Sequence, residues 1–249
     1  MLGNQEENVM IGAEVLKEVG AALERESLIN IHRYPIDMEF SDAALTLAGE
    51  VASVAAKKLA LEVAAAVPGV TGIVDRLRVE PAEQMEDGVI CDHVRNALLQ
   101  EHALLNCSIR TRARENWETV REAPLDPAGI IEVEVGDGVV TLNGQVVSLS
   151  HKRLAGVLAW WVPGSRDVVN GLEVVPPEED NDDEVVDALR LVLEKDPFVN
   201  AAQIRVSCRN YTVTLDGLVA GEQEREAAGS DAWYLFRVDR VINRLEVAE

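Results

Sequence analysis

Aromatic residues are scarce in this 249-residue chain: three Phe, three Tyr and four Trp, 4% of the whole. A core short of rings must be built from Val, Leu, Ile and Ala, which bury less apolar area apiece. Cysteine is equally sparse. Cys91, Cys107 and Cys208 are an odd number at unrelated points of the chain, which excludes a disulfide framework and agrees with a reducing compartment. Positive charge is also in deficit, with 23 Lys and Arg against 44 Asp and Glu and a formal net charge of -21. Divided into 1–82, 83–177 and 178–249, the chain carries 7, 8 and 8 bases against 13, 14 and 17 acids. No segment is basic, so nucleic acid is excluded as a partner, because binding it requires cations that displace phosphate counterions. No apolar run approaches the roughly 18 residues of a membrane span. The opening MLGNQEENVMIGAEV lacks the positive start and apolar core of a secretory signal. The expected compartment is the cytoplasm, or the periplasm if a leader has been removed.

Residues for metal or catalytic chemistry are few and dispersed. His32, His93, His102 and His151 fall on different elements, and neither Cys91-Asp92-His93 nor His102 to Cys107 has zinc spacing. The acidic stretch EEDNDDE (178–184) lacks the glycine and ligand spacing of a calcium loop, and its Asp182 or Asp183 is expected to cap a helix. No GxSxG, P-loop or dinucleotide glycine run occurs. The expectation is a protein with no catalytic residues, no metal site and no cofactor.

What the chain does have is internal repetition. LTLAGEV (45–51), VTLNGQV (140–146) and VTLDGLV (213–219) each alternate apolar and polar positions into a glycine, the pattern of a half-buried strand. Counting from Gly49, Gly144 and Gly217 without gaps, every copy has Ala at plus 11 and plus 15, Leu at plus 28 and Val at plus 30. Ala four residues apart lets a helix approach a sheet closely, and Val67, Val162 and Leu235 at plus 18 extend that face. The three glycines are therefore structural, ending a strand where the chain must turn or meet another backbone.

Reading outward from these markers gives helix, strand, strand, helix, strand three times, an α+β class of repeated small modules. The expected elements are helix 9–26, strands 36–41 and 44–50, helix 53–67 and strand 73–79 in the first module. In the second they are helix 88–102, strands 130–135 and 139–145, helix 149–162 and strand 167–175. The third has helix 183–195, strands 203–208 and 211–217, helix 221–235 and strand 239–248. The second copy alone holds about 21 extra residues, placed within Arg110 to Ala128, with four Arg, balancing acids and Trp117. An insertion of this length is more often functional than structural.

Aromatic pairs stand at plus 16 and plus 17 of two copies: Trp160-Trp161 and Trp233-Tyr234, against Ala65-Ala66 in the first. At 100° per residue, plus 17 lies about 200° from the core-facing plus 15 and points away from the module's own sheet. Trp117, Trp160, Trp161, Trp233 and Tyr234 are the candidate interface. The polar residue at plus 26 (Asp75, Asn170, Asn243) interrupts the last strand and is expected to make a bulge or turn hydrogen bond.

VLEKDPFV (192–199), the VTLDGLV strand, and the closing VPGSRDVVNGLEV (162–174) and VPGVTGIVDRLRV (67–79) together resemble the BON domain. That module occurs in osmotically inducible and envelope-quality proteins of bacteria, and the likeness runs over nearly the whole chain three times. The resemblance implies two helices packed on a three-stranded mixed sheet, no known catalysis, and roles in phospholipid binding, envelope maintenance and stress response. Some relatives of this kind join one such domain to a LysM segment, absent here, and bind a monovalent cation. The expectation is an interaction or assembly protein that self-associates as a homo-oligomer through outward aromatics or free sheet edges. The alternatives are binding to a phospholipid or membrane lipid surface, and cation binding in stress. An assembly joined at neutral patches would strengthen as salt screens the acidic remainder.

Overall fold

Strands of this chain alternate buried aliphatics with exposed polar residues, and the three-residue rhythm of its helices buries Val, Leu and Ala on one side. A computed structural model describes residues 2–113, 116–124 and 129–248. The chain divides into two compact units, Met1–Glu80 and Pro81–Glu249.

The first unit is one module: α1 (Leu2–Arg25), β1 (Ile36–Ser41), β2 (Ala44–Val51), α2 (Val54–Ala65) and β3 (Gly72–Val79). β2 lies in the middle, antiparallel to β1 and parallel to β3. Ser53 caps α2 by accepting the N–H of Ala56 at 3.2 Å.

The second unit joins two modules. One comprises α3 (Asp87–Gln100), β4 (Cys107–Ala113), β5 (Asn116–Arg121), β6 (Gly129–Gly136), β7 (Val139–Val146), α4 (Leu149–Trp160), β8 (Asp167–Asn170) and β9 (Glu173–Val174). The other comprises α5 (Asp182–Lys195), β10 (Ile204–Arg209), β11 (Thr212–Val219), α6 (Glu222–Tyr234) and β12 (Arg240–Val247). α3 and α4 cover one face of the first sheet, α5 and α6 one face of the second, and the two helix pairs pack on each other through α4 and α5. A single core runs through both, from Ile90 and Leu98 to Val213 and Leu245.

The α+β class and the element order match the reading from sequence. The middle sheet is larger than three strands, however, with order β5-β4-β6-β7-β8 and β9 also paired to β7. The insert begins near Cys107, slightly before the expected point, and folds as the β4–β5 hairpin, whose β4 adds parallel to β6. Arg121 ties it down, donating to the carbonyl oxygens of Leu99 (3.1 Å) and Leu104 (2.5 Å), which a helix end leaves without partners, and of Cys107 at the start of β4 (3.0 Å). Residues 114, 115 and 125–128 of the insert lie outside the described ones. The strand expected over 167–175 is split into β8 and β9: Gly171 between them still donates to the Leu142 carbonyl at 2.8 Å, while the N–H of Leu172 turns to the Asn170 side chain at 3.3 Å.

The repeat signature is a packing device. All six Ala at plus 11 and plus 15, the three plus-18 aliphatics and the three plus-28 Leu are buried. At plus 26, Asp75, Asn170 and Asn243 each accept the N–H two residues on, at 2.9, 3.3 and 3.1 Å. Asn170 and Asn243 also donate to the carbonyls of Lys152 and Arg225 at 2.7 and 2.8 Å, clamping helix to strand. That reach requires glycine in the helix: a Cβ on Gly156 or Gly229 would lie 2.8 or 2.9 Å from the Asn amide. The first module, with Leu61 there, instead pairs Asp75 with buried Lys57 at 3.0 Å.

The marker glycines sit at positive φ, and an added Cβ at Gly144 or Gly217 would fall 2.2 or 2.1 Å from a carbonyl oxygen of the paired strand. Gly144→Val and Gly217→Val are therefore expected to destabilise the second unit by about 2–4 kcal/mol. Thermal melts check this; an unchanged melting temperature would refute it.

Candidate functional site

The first expectation to test is the aromatic surface. Trp161 does point away from its own sheet, but it meets α6 rather than water, and its indole Nε1 donates to Asp231 Oδ1 at 2.8 Å. Trp160 stacks on Tyr234 with ring centroids 5.8 Å apart and planes 12° from parallel. Trp233 is buried. Four of the five candidate interface residues thus form a seam between the two modules of the second unit. The physical reason is that helix faces turned from one sheet are the faces available to a neighbouring module. The fifth, Trp117, remains 42% exposed on β5, opposite Arg112.

Asp231 was not singled out from the sequence, and it is 1% exposed within this seam. Its Oδ2 has no hydrogen-bond partner among the described residues. Burial pushes its carboxyl up to about 8, the Trp161 indole holds it down, and the neighbouring Asp196 raises it further. No motif marks it; the signal is a lone acid among the alanines of a helix's apolar face.

A second buried charge lies on α4. The Arg153 side chain is fully buried, with Nη2 donating to Asp180 Oδ1 at 2.6 Å and Nε to the Phe236 carbonyl at 3.2 Å. Asp180 belongs to the acidic linker, and its backbone carbonyl accepts from the Tyr211 hydroxyl at 3.1 Å. Arg237 lies 3.7 Å from Asp180 Oδ2, with its guanidinium 4.9 Å over the Tyr211 ring. At the other end of the seam, Lys195 on α5 pairs with Glu101, after α3, at 2.7 Å.

The remaining linker acids also have structural roles. Asn181, rather than Asp182 or Asp183, caps α5, accepting from the N–H groups of Asp183 and Glu184. Asp182 holds the β10–β11 turn, accepting from the N–H groups of Asn210 and Tyr211 at 2.8 Å each and from the Cys208 thiol at 3.3 Å. Its carboxyl is lowered by those backbone donors. Asp87 holds Asp137 and Gly138 in the same way, at 3.0 and 2.8 Å. These turns have two successive residues at positive φ, a geometry that suits the twist of a hairpin.

The thiols are poorly placed for chemistry. Burial raises Cys91 and Cys107, and burial with the Asp182 contact pushes Cys208 up to about 12, so none is a ready nucleophile at neutral pH. His151 is half-buried and lowered chiefly by burial. Among the described residues, no three His, Cys, Asp or Glu converge as metal ligands.

What stays open to a partner is the outer face of each sheet. Val74, Val169 and Ile242 occupy one position of the repeat and are 41, 49 and 41% exposed, each beside Thr46, Thr141 or Thr214 on the central strand. On the middle sheet Arg110–Glu132 and Arg112–Glu134 cross β4 to β6 at 3.4 and 2.7 Å.

Two helices on one face of a mixed sheet, repeated three times along the chain, define a tandem array of small α+β modules. The BON-domain family model matches residues 13–81, 108–176 and 181–249, and the chain belongs to that family. The second match starts at β4 and leaves α3 outside it. No curated protein matches. Two solved structures of CdsD, a structural protein of the type III secretion system of Chlamydia trachomatis, are similar over most of the chain. One, of its C-terminal domain, is 13% identical with TM-score 0.25, covering 94% of this chain and 98% of that one. The other is 15% identical with TM-score 0.24, covering 95% and 94%. At these values the likeness decides nothing about this chain.

Arg153→Ala should cost the second unit about 3–5 kcal/mol, because Asp180 and the Phe236 carbonyl lose a buried donor. Denaturant titration checks this, and a cost below about 1 kcal/mol would refute it. Asp231 has a folded value near 8 against an ordinary 3.8. The folded state therefore holds this proton more tightly, and the stability it confers is complete below about pH 4 and lost as pH rises through 8. Melting temperature should fall across that window, and Asp231→Asn should flatten the fall.

Proposed function

We propose that this chain is a non-enzymatic interaction protein of the BON type that self-associates and serves envelope or stress maintenance. One observation carries the reading: each module spends its helices on one sheet face and leaves the other exposed, with a β-branched residue at the same place, Val74, Val169 and Ile242. A recurrent exposed aliphatic among polar neighbours suits a protein partner better than a small substrate. Free strands at the sheet margins add unpaired backbone donors and acceptors that another chain can cover.

Compartment follows the chemistry of the thiols. Three free cysteines support the cytoplasm, with the periplasm as the alternative. Among the described residues, no helix is long and apolar enough to cross a membrane.

A second reading is phospholipid-surface binding, favoured by exposed Trp117 beside Arg112 on the β4–β5 hairpin. Aromatic and basic residues together suit a headgroup boundary, although the chain's charge of -21 opposes an anionic bilayer. Light scattering over a range of protein concentration should give a mass above the 27.2 kDa of one chain. A monomer throughout would refute self-association. Flotation with zwitterionic and anionic vesicles should leave the protein unbound, and binding lost in Trp117→Ala would establish the lipid reading instead.

A further inference from the structure

The third sheet distributes its charge unlike the rest of the chain. Its exposed face, opposite α5 and α6, is read in three rows across β10, β11 and β12: Arg205–Asp216–Arg244, Ser207–Thr214–Ile242 and Arg209–Thr212–Arg240. Four of the eight bases of residues 178–249 therefore share one face with Asp216 and, one step on, Glu246, while the other 15 of the 17 acids lie elsewhere. All four arginines are exposed. The fold does not demand this, because the corresponding rows of the first sheet read Asp37–Ala48–Arg76, Glu39–Thr46–Val74 and Ser41–Ala44–Gly72. There the outer strand β1 carries Asp37 and Glu39, with Arg76 across on β3, whereas β10 carries Arg205 and Arg209. The apolar centre is the same in both, with Val74 and Ile242 41% exposed.

We infer that the arginine face of the third sheet docks on the first-sheet face of a second copy of this chain, at the β1 side where Asp37 and Glu39 lie. This rests on the self-association proposed above and assigns it a surface. Charge complementarity selects the occupant: β1 presents two acids, Asp37 and Glu39, where β10 presents two bases, Arg205 and Arg209, and Val74 and Ile242 supply apolar contact at the centre of each face. The contact is heterologous, using different surfaces on its two sides, so it leaves each copy able to recruit another. Opposite charges are screened within about 3 Å at 1 M salt against about 8 Å at physiological strength, so assembly weakens as salt rises. That is the reverse of the dependence expected if neutral patches joined the copies.

Light scattering at low and high salt tests this on the full chain. The wild type should fall from an oligomer to the 27.2 kDa monomer as salt rises. Arg205→Glu with Arg244→Glu should be monomeric at low salt, and so should Asp37→Arg with Glu39→Arg. An equimolar mixture of the two variants, or all four changes in one chain, should restore assembly, a rescue that misfolding cannot produce. All four sites are exposed, so melting temperatures should stay near the wild type. A wild-type monomer at every salt would overturn self-association and this surface together. An oligomer unmoved by either pair of changes would keep self-association and overturn the surface. Binding of wild type to phosphatidylglycerol vesicles, lost in the Arg205→Glu, Arg244→Glu protein, would assign the face to lipid and overturn the docking.

Discussion

A guanidinium with no access to water must find its partners in the protein, and the Arg153 nitrogens that find them, Nε and Nη2, do so outside its own module, while Nη1 has none among the described residues. Its donors reach the linker carboxylate of Asp180 and the backbone of Phe236 beyond α6. Separating the two modules would leave this charge half-desolvated and unpaired, which costs several kcal/mol. That constraint adds to the apolar packing by which residues 81–249 share one core. It also orders the linker, because Asp180 is held by Arg153 while Tyr211 and Arg237 close around it.

Once the modules are joined, the aromatic pairs lose their freedom to serve elsewhere. Trp160 and Tyr234 stack, and Trp161 anchors the buried carboxyl of Asp231. Small modules built from Val, Leu and Ala bury limited area, so large side chains are most useful where two such modules meet. The first module has Ala65 and Ala66 at those positions and forms a unit of its own. What remains exposed is the sheet faces and edges, where charge rather than aromatic area distinguishes one copy of the repeat from another.

Much of this was legible in the residues. Period-two alternation, the glycine markers and the fixed Ala offsets gave class, element order and module count, because local periodicity reports which side of a strand or helix is buried. The plus-26 polar residues make the turn hydrogen bonds expected of them, although β3 and β12 run unbroken through Asp75 and Asn243. The family was legible as a resemblance, carried by VLEKDPFV, the VTLDGLV strand and the closing VPGSRDVVNGLEV and VPGVTGIVDRLRV segments.

Tertiary structure alone decided what met what. Helical phase shows that Trp161 and Tyr234 leave their own sheet, but not whether water or another module receives them. Arg153 looks in sequence like an ordinary surface charge and Asp231 shows only as a lone acid on an apolar helix face, and docking of the helix pairs is what buries them. The insert's balanced charge hid its role as two added strands, because β4 pairs with β6 through backbone groups that carry no residue signature. The arginine face of the third sheet is likewise assembled from three strands far apart in the chain. Sequence determines the period of burial along each element, whereas contacts between elements depend on the shapes and charges that come together when the elements pack.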